Sequence, residues 1–463
     1  MTAALDVTAL SKFREGFAGE IVIPESPGYD AARIVWNGMI DRRPALIARP
    51  TDVADVLTAL RFAREHELVI AVRSGGHSIP GLSTCDDGIV IDLSGMRGVR
   101  IDPGRRLARV NGGALLGELD HEAQAFDLAC PVGVVSHTGV AGLTLGGGMG
   151  RLQRKYGLTI DNLLSVDVVT AGGRRVHASE DENPDLFWGI RGAGPNFGIV
   201  TSFEFRLHSV GPTITHGTVT YPIERAPEVA AFYRDFVEGT PDELWSAFGM
   251  GLAIPEEEFP PEIAGRPFVL MGGLHCGSPE RAKRDFAPMR ALGSPVMDTV
   301  QQKPYLTAQH LNDEYMSWGH RFSMKSGFTT GLPDELVEGC VSRIEQAPKG
   351  GDCSFSFWSW GRAIARVDAD ATAFPVRDAA FWASAEAMWD EPGMDGEHRD
   401  WVRSGMGAIT PFSVEGRYVN DVAESGEDVV RSVYGDAKYG RLVELKRAWD
   451  PDNVFPLNQN VRP

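Results

Sequence analysis

A chain of 463 residues exceeds what one hydrophobic core can serve, since single cores stop growing at roughly 250 to 300 residues, so two or three domains are expected. Apolar residues make up 43% and charged residues 23%, as in a globular protein in water, and no run of about 18 apolar residues offers a membrane helix. The formal net charge of −18 opposes phosphate-backbone binding and argues against nucleic acid as a partner.

Residues 1–19 mix acids and bases without an apolar stretch, so no secretory signal is expected and the cytoplasm is the expected compartment. A helix is predicted over 51–66, where Thr51 and Asp52 precede Val53, Val56, Leu57 and Leu60 at helical spacing. The run Leu68-Val69-Ile70-Ala71-Val72 is short and β-branched and reads as a strand buried on both faces. It ends in Arg73-Ser74-Gly75-Gly76-His77-Ser78, where paired glycines let the backbone approach a flat or anionic ligand with one imidazole at the contact. A lone loop histidine is otherwise an ordinary hydrogen-bonded residue. Residues 88–93 read as a second strand, 99–110 as a hairpin about Asp102-Pro103-Gly104, and 114–126 as a helix.

Gly133 to Gly150 carries seven glycines in eighteen residues, too many for an ordinary helix or strand. With Ser136, His137 and Thr138 interleaved, such a backbone can wrap a pyrophosphate with N–H groups in place of basic side chains. Its valines, alanine and leucines are unlike a flexible linker, and no Gly-Lys-Ser/Thr makes it a P-loop. A hairpin is predicted across Gly172-Gly173, then a helix over 185–191, the segment 192–198, and a strand over 199–207. Gly192-Ala193-Gly194 follows a helical pattern and precedes a strand, the reverse of a nicotinamide dinucleotide fingerprint, which leaves an NAD-dependent dehydrogenase as the weaker alternative.

A first unit is expected over 1–212 and a second over 213–410. The second has strands at 214–223, 246–254, 267–276 and 354–367, and helices at 227–237, 279–292, 333–345 and 379–389; that order suggests an antiparallel sheet covered by helices. A C-terminal unit over 411–463 includes a helix near 438–449. Five scattered cysteines, Cys85, Cys130, Cys276, Cys340 and Cys353, argue against a disulfide framework, and no CxxC or HExxH pair supports a metal site.

Together, the His77 turn, Gly133 to Gly150 with Arg154-Lys155-Tyr156-Gly157 and Asp161-Asn162, the segment 183–188, and Gly192 to Val200 resemble the FAD domain of the vanillyl-alcohol-oxidase superfamily. Tyr418-Val419-Asn420 and the tail 450–460 are similar to its berberine-bridge-enzyme-like branch, and residues 33–47 to microbial oxidases of that branch. The resemblance implies an α+β fold: a PCMH-type FAD-binding domain (1–212), an antiparallel-sheet substrate domain covered by helices (213–410), and a C-terminal segment (411–463) returning to the FAD domain. It implies FAD bonded through its 8α carbon to His77, with dioxygen and a small organic molecule as the other reactants.

The same resemblance implies contacts to the cofactor from Arg73, Ser74, Gly75, Gly76, Ser78, Gly133, Val135, Ser136, His137, Thr138, Gly139, Gly142, Leu143, Gly147, Gly148, Gly198, Val200, Asn458 and Asn460. Cys130-Pro131 has the order of a second tether to flavin C6, but the loop after it is the longer form associated with histidine alone, and both readings stay open. Tyr418 and Asn420 are expected at the site, with His320 or Tyr315 as base; Lys325 lies near them in sequence. Trp358 and Trp360, two apart, read as core. Hydride abstraction from an alcohol, sugar, amine, phenol or biosynthetic intermediate is the expected chemistry. A flavin-dependent oxygenase or cyclase and a non-catalytic flavoprotein are the alternatives, and oligomeric state is not legible.

Overall fold

The computed structural model describes residues 7–253 and 259–463, so Ile254, the end of one expected strand, lies outside the described residues. Two main sheets, a two-stranded pair (Leu128–Ala129 with His208–Ser209) and helices form the first half. A four-stranded mixed sheet runs Glu20–Val22, Leu46–Arg49, Ile89–Asp92, Ile70–Arg73, with the last three parallel. Its residues Leu46, Ile47, Ile89, Val90 and Ile91 are fully buried, which explains runs without polar alternation. A five-stranded antiparallel sheet runs Val99–Asp102, Leu107–Asn111, Ile199–Arg206, Leu163–Val169, Arg175–Ser179.

The second half is one antiparallel sheet in the order Met297–Asp298, Thr213–Pro222, Pro267–His275, Leu244–Leu252, Gly351–Ser359, Phe381–Trp389, Arg321–Thr329, with Gln301–Pro304 also paired to Thr213–Pro222. One face packs on the helices Ala226–Gly239, Pro279–Arg290, Asp334–Ile344 and Asp395–Ile409. The other face is turned toward the first half. The fold is therefore α+β, a helix-covered antiparallel sheet beside the sheets of the first half.

Residues 379–389 correct the expected helix. Alanine, glutamate and methionine favour helices, but Phe381, Ala383, Ala385, Ala387 and Trp389 point into the helical layer while Trp382, Ser384 and Glu386 point away. The period is two, and the small alanines let the helix Asp395–Ile409 approach: a Cβ on Gly405 would lie 3.0 Å from that of Ala385. The strand Arg321–Thr329 carries no sequence expectation, and the strand expected over 354–367 ends at Ser359, before the short helix Ala363–Arg366. The glycine-dense stretch does contain a short helix, Val140–Leu145, because its apolar residues fall between glycines at the helix ends.

After the second sheet, the chain returns to the first half through the kinked helix Glu427–Trp449, whose Val430, Val433, Tyr434 and Leu442 join the core of the five-stranded sheet. Lys446 and Asp450, both fully buried, pair at 2.6 Å, and the ammonium also donates to the carbonyls of Asn196 and Phe455. Lys446→Met leaves Asp450 as an unpaired buried charge, and denaturant unfolding should show a loss of about 3–5 kcal/mol. A loss below about 1 kcal/mol would mean the pair does not anchor the tail.

Candidate active site

A cavity of about 650 Å³ lies between the first half and the open face of the large sheet. The strand Ile70–Arg73 ends at one wall, where Ser74, Gly75, Gly76, His77 and Ser78 all line it. The glycine segment forms the next wall with Gly133, Val135, Thr138, Gly139, Gly142 and Leu143, followed by Gly198 and Val200, and by Asn458 from the tail. The two glycine segments touch: a Cβ on Gly75 would come within 2.2 Å of the Gly139 nitrogen, and a Cβ on Gly139 within 2.2 Å of the Gly75 nitrogen. Only glycine permits that approach.

His77 is held from three sides. Its ring stacks on Trp36 at 5.0 Å and 18°, meets the Trp318 edge at 6.1 Å, and its Nε2 lies 2.6 Å from Nδ1 of His137. Burial, with His137 beside it, pushes the His77 pKa down to about 3, so the imidazole is neutral at working pH. Ser74 Oγ and Gln459 Oε1, on the lining, and Asn460 Oδ1 beside them in the tail are buried without a hydrogen-bond partner. Unpartnered polar atoms around a glycine-walled cavity fit a large polar cofactor that would satisfy them. The residues present therefore suit FAD.

Several expected contacts fall elsewhere. Arg73 is buried off the cavity because its guanidinium is used up on Asp92 (2.7 Å) and the carbonyls of Ala32 and Ile34. Ser136 donates both its amide and its hydroxyl to Asp313, at 2.8 and 2.6 Å. Gly147 and Gly148 turn the chain at positive φ beneath Phe374 and Thr159, and Asn460 also stands off the lining. Cys130 is wholly buried in the apolar core, off the cavity, and burial raises its thiol pKa well above the ordinary value.

Tyr418 and Asn420 line the cavity, on or beside a 3-10 turn (Val419–Asp421). The Tyr418 hydroxyl accepts from Gly148 N (3.2 Å) and Asn420 Nδ2 (2.9 Å), and Asn420 also donates to the carbonyls of Gly142 and Leu143. Burial drives the phenol pKa upward, and the hydroxyl joins the tail to the glycine loop. His320 stands off the lining, its Nδ1 paired with Asp390 at 2.6 Å and its Nε2 near Ser317. Tyr315 lines the cavity, but its hydroxyl donates to Asp352 (2.5 Å) and is held well above its ordinary pKa, first by burial. Lys325 pairs with Glu424.

Sequence reading missed two carboxyls on the cavity lining, one on the open sheet face and one on the 3-10 turn of the tail. Glu386 lines the cavity between Met324 and Ser354 in register, half-buried, with the Ser384 hydroxyl donating to it. Burial raises its pKa above the ordinary glutamate range. Asp421, also on the lining, accepts from Ser326 Oγ (2.7 Å) and Trp382 Nε1 (3.1 Å), and burial pushes it up to about 7. The alternation Trp382-x-Ser384-x-Glu386 carried the available signal. Trp358 lines the cavity while Trp360 packs against Phe328 and Phe374, so of the two tryptophans only Trp360 is core.

Known proteins resemble this chain in sequence and fold. An FAD binding domain model matches residues 44–179, and a berberine and berberine-like model matches 417–462. The (R)-6-hydroxynicotine oxidase of Paenarthrobacter nicotinovorans is 33% identical over 465 residues, covering 96% of this chain and 97% of that protein. Among solved structures, 6-hydroxy-D-nicotine oxidase from Arthrobacter nicotinovorans superposes with a TM-score of 0.87 at 30% identity, covering 96% of this chain and 98% of that one. Xylooligosaccharide oxidase from Myceliophthora thermophila superposes at 0.84 with 27% identity, covering 100% and 99%. A match to FAD-linked proteins along nearly the whole chain displaces the nicotinamide alternative. With a turn, glycine walls and tail that converge on one cavity, the chain belongs to the berberine-bridge-enzyme-like family of FAD-linked oxidoreductases.

Proposed function

We propose that the protein is an oxidase that holds FAD through one covalent bond to His77 and acts on a small organic molecule at a C–H beside an O–H or N–H. FAD, when bound, supplies the two-electron acceptor for the substrate hydride, and dioxygen restores it. The observation that carries this reading is one continuous cavity from the His77 turn and both glycine segments to Glu386.

Attachment needs a neutral imidazole with a free nitrogen. His77 is kept neutral by burial, and since Nε2 is taken by His137, Nδ1 is the nitrogen left for the bond. Cys130 is not assigned a tether, because its thiol is protonated and off the cavity. Glu386 is the proton acceptor: it faces the cavity with one protein donor, whereas Asp421 already accepts from two. The apolar walls Trp358, Trp382 and Phe322 exclude water and orient the substrate over that carboxyl.

The purified protein should carry flavin absorption that bleaches on anaerobic addition of an oxidisable amine, alcohol, phenol or sugar and returns with air, releasing hydrogen peroxide. Flavin that no member of such a panel bleaches would support a non-catalytic flavoprotein instead.

A further inference from the structure

At the end of the cavity away from Glu386, a guanidinium without a carboxylate partner stands beside an imidazole whose ring makes no hydrogen bond within the described residues. Arg151 is 6% exposed, and its one hydrogen bond within the described residues runs from Nη1 to the Ala308 carbonyl at 3.1 Å. No carboxylate of the described residues lies within 4.0 Å of it. The carboxyl of Asp120, the neighbour that could compensate it, is engaged by Tyr305 (3.4 Å) and Gln309 (3.1 Å). A guanidinium has five N–H donors, and within the described residues only one hydrogen bond is made by this one, which lines the cavity. Beside it, His216 also lines the cavity; its side chain makes no hydrogen bond within the described residues, its buried Nδ1 is without a partner, and burial lowers its pKa to about 3, so the ring is neutral. Lys303 adds positive potential from the paired strand. An unpaired buried cation is costly unless a ligand completes it.

The large sheet fixes where this end lies. Glu386 is in register through Ser354, Gly251 and Phe268 with Pro222, six residues from His216 on the same strand and four strands across from Glu386. At strand spacing that is on the order of 25 Å. Between the two ends Trp245, Trp358 and Trp382 form a continuous row, with centroids 5.1 and 5.2 Å apart, over a floor of Ala247, Gly249 and Gly272.

We propose that Arg151 and His216 bind an anionic oxygen, a carboxylate or phenolate, at the non-reacting end of an elongated aromatic substrate whose other end reaches Glu386. This rests on the oxidase reading of the cavity and adds the substrate class to it. The Arg151 guanidinium supplies the charge and a neutral His216 an N–H, so together they orient the ligand, and the tryptophan row carries its apolar body.

The test is calorimetric titration of the flavin-loaded protein with biphenyl-4-carboxylate and with its neutral amide, which needs no turnover. The wild type should bind the carboxylate at least about tenfold more tightly than the amide. Arg151→Gln and His216→Gln should each bring the ratio toward one, and Trp358→Ala should weaken both ligands alike. If Arg151→Gln does not fold, His216→Gln decides. Equal affinities in the wild type, or a ratio unchanged in the variants, would overturn the subsite. So would an unchanged ratio with a shifted flavin potential in Arg151→Gln, which would assign the guanidinium to the cofactor. Protein purified without flavin would sink the oxidase reading alone, since the ratio is still measurable.

Discussion

Glu386→Gln is expected to lower kcat by about 10²–10³-fold, the usual worth of a positioned general base, with little change in flavin content or unfolding temperature. The carboxyl is half-buried on the cavity face of its strand, and Gln preserves its shape and its contact with Ser384. In the wild type the acid limb of kcat/KM should lie above the ordinary glutamate range. Burial raises the Glu386 pKa, so the base is protonated, and inactive, at pH values where a free glutamate would already be ionised. Activity therefore rises with pH through the raised pKa, and in Glu386→Gln that limb should disappear. Because the Glu386 charge is among the groups holding Asp421 near 7, the substitution also lets Asp421 ionise at lower pH. A variant with wild-type kcat would move the base to Asp421, where Asp421→Asn is the corresponding test.

His77→Ala should leave FAD bound by the glycine walls but released on denaturation, and should make it a weaker oxidant. A fall of roughly 60 mV in the two-electron potential corresponds to about 2.8 kcal/mol less driving force for accepting hydride. If about half of that reaches the barrier, the reduction rate drops roughly tenfold. Loss of the ring also removes the stack on Trp36 and the bond to His137, so some loss of stability accompanies the change. A redox titration that finds the potential unchanged would deny His77 a tuning role.

Much of the cofactor side was legible in the sequence, because it depends on backbone. Consecutive glycines at 75–76 and the dense run 133–150 announce close approach wherever the chain folds, and the structure brings both to one cavity with His77 between them. The substrate side was not legible for the opposite reason. Residues 381–389 are rich in alanine, glutamate and methionine, so local propensity favours a helix, and only the tertiary demand for a small-residue face against the helix Asp395–Ile409 makes them a strand. That misassignment hid Glu386. Tyr315 and His320 drew attention as titratable residues close in sequence, yet each already has an acidic partner, Asp352 and Asp390. Tyr418 and Asn420, expected at the site, line the cavity, where their hydrogen bonds clasp the tail to the glycine loop.

The most direct test of the central claim is mass analysis of tryptic peptides after denaturation. Cleavage after Arg73, Arg97, Arg109 and Arg151 separates His77, on the peptide 74–97, from Cys130, on the peptide 110–151. The account predicts one FAD adduct, on His77 of the first peptide, with the second unmodified. Flavin on Cys130, or on neither peptide, would contradict it.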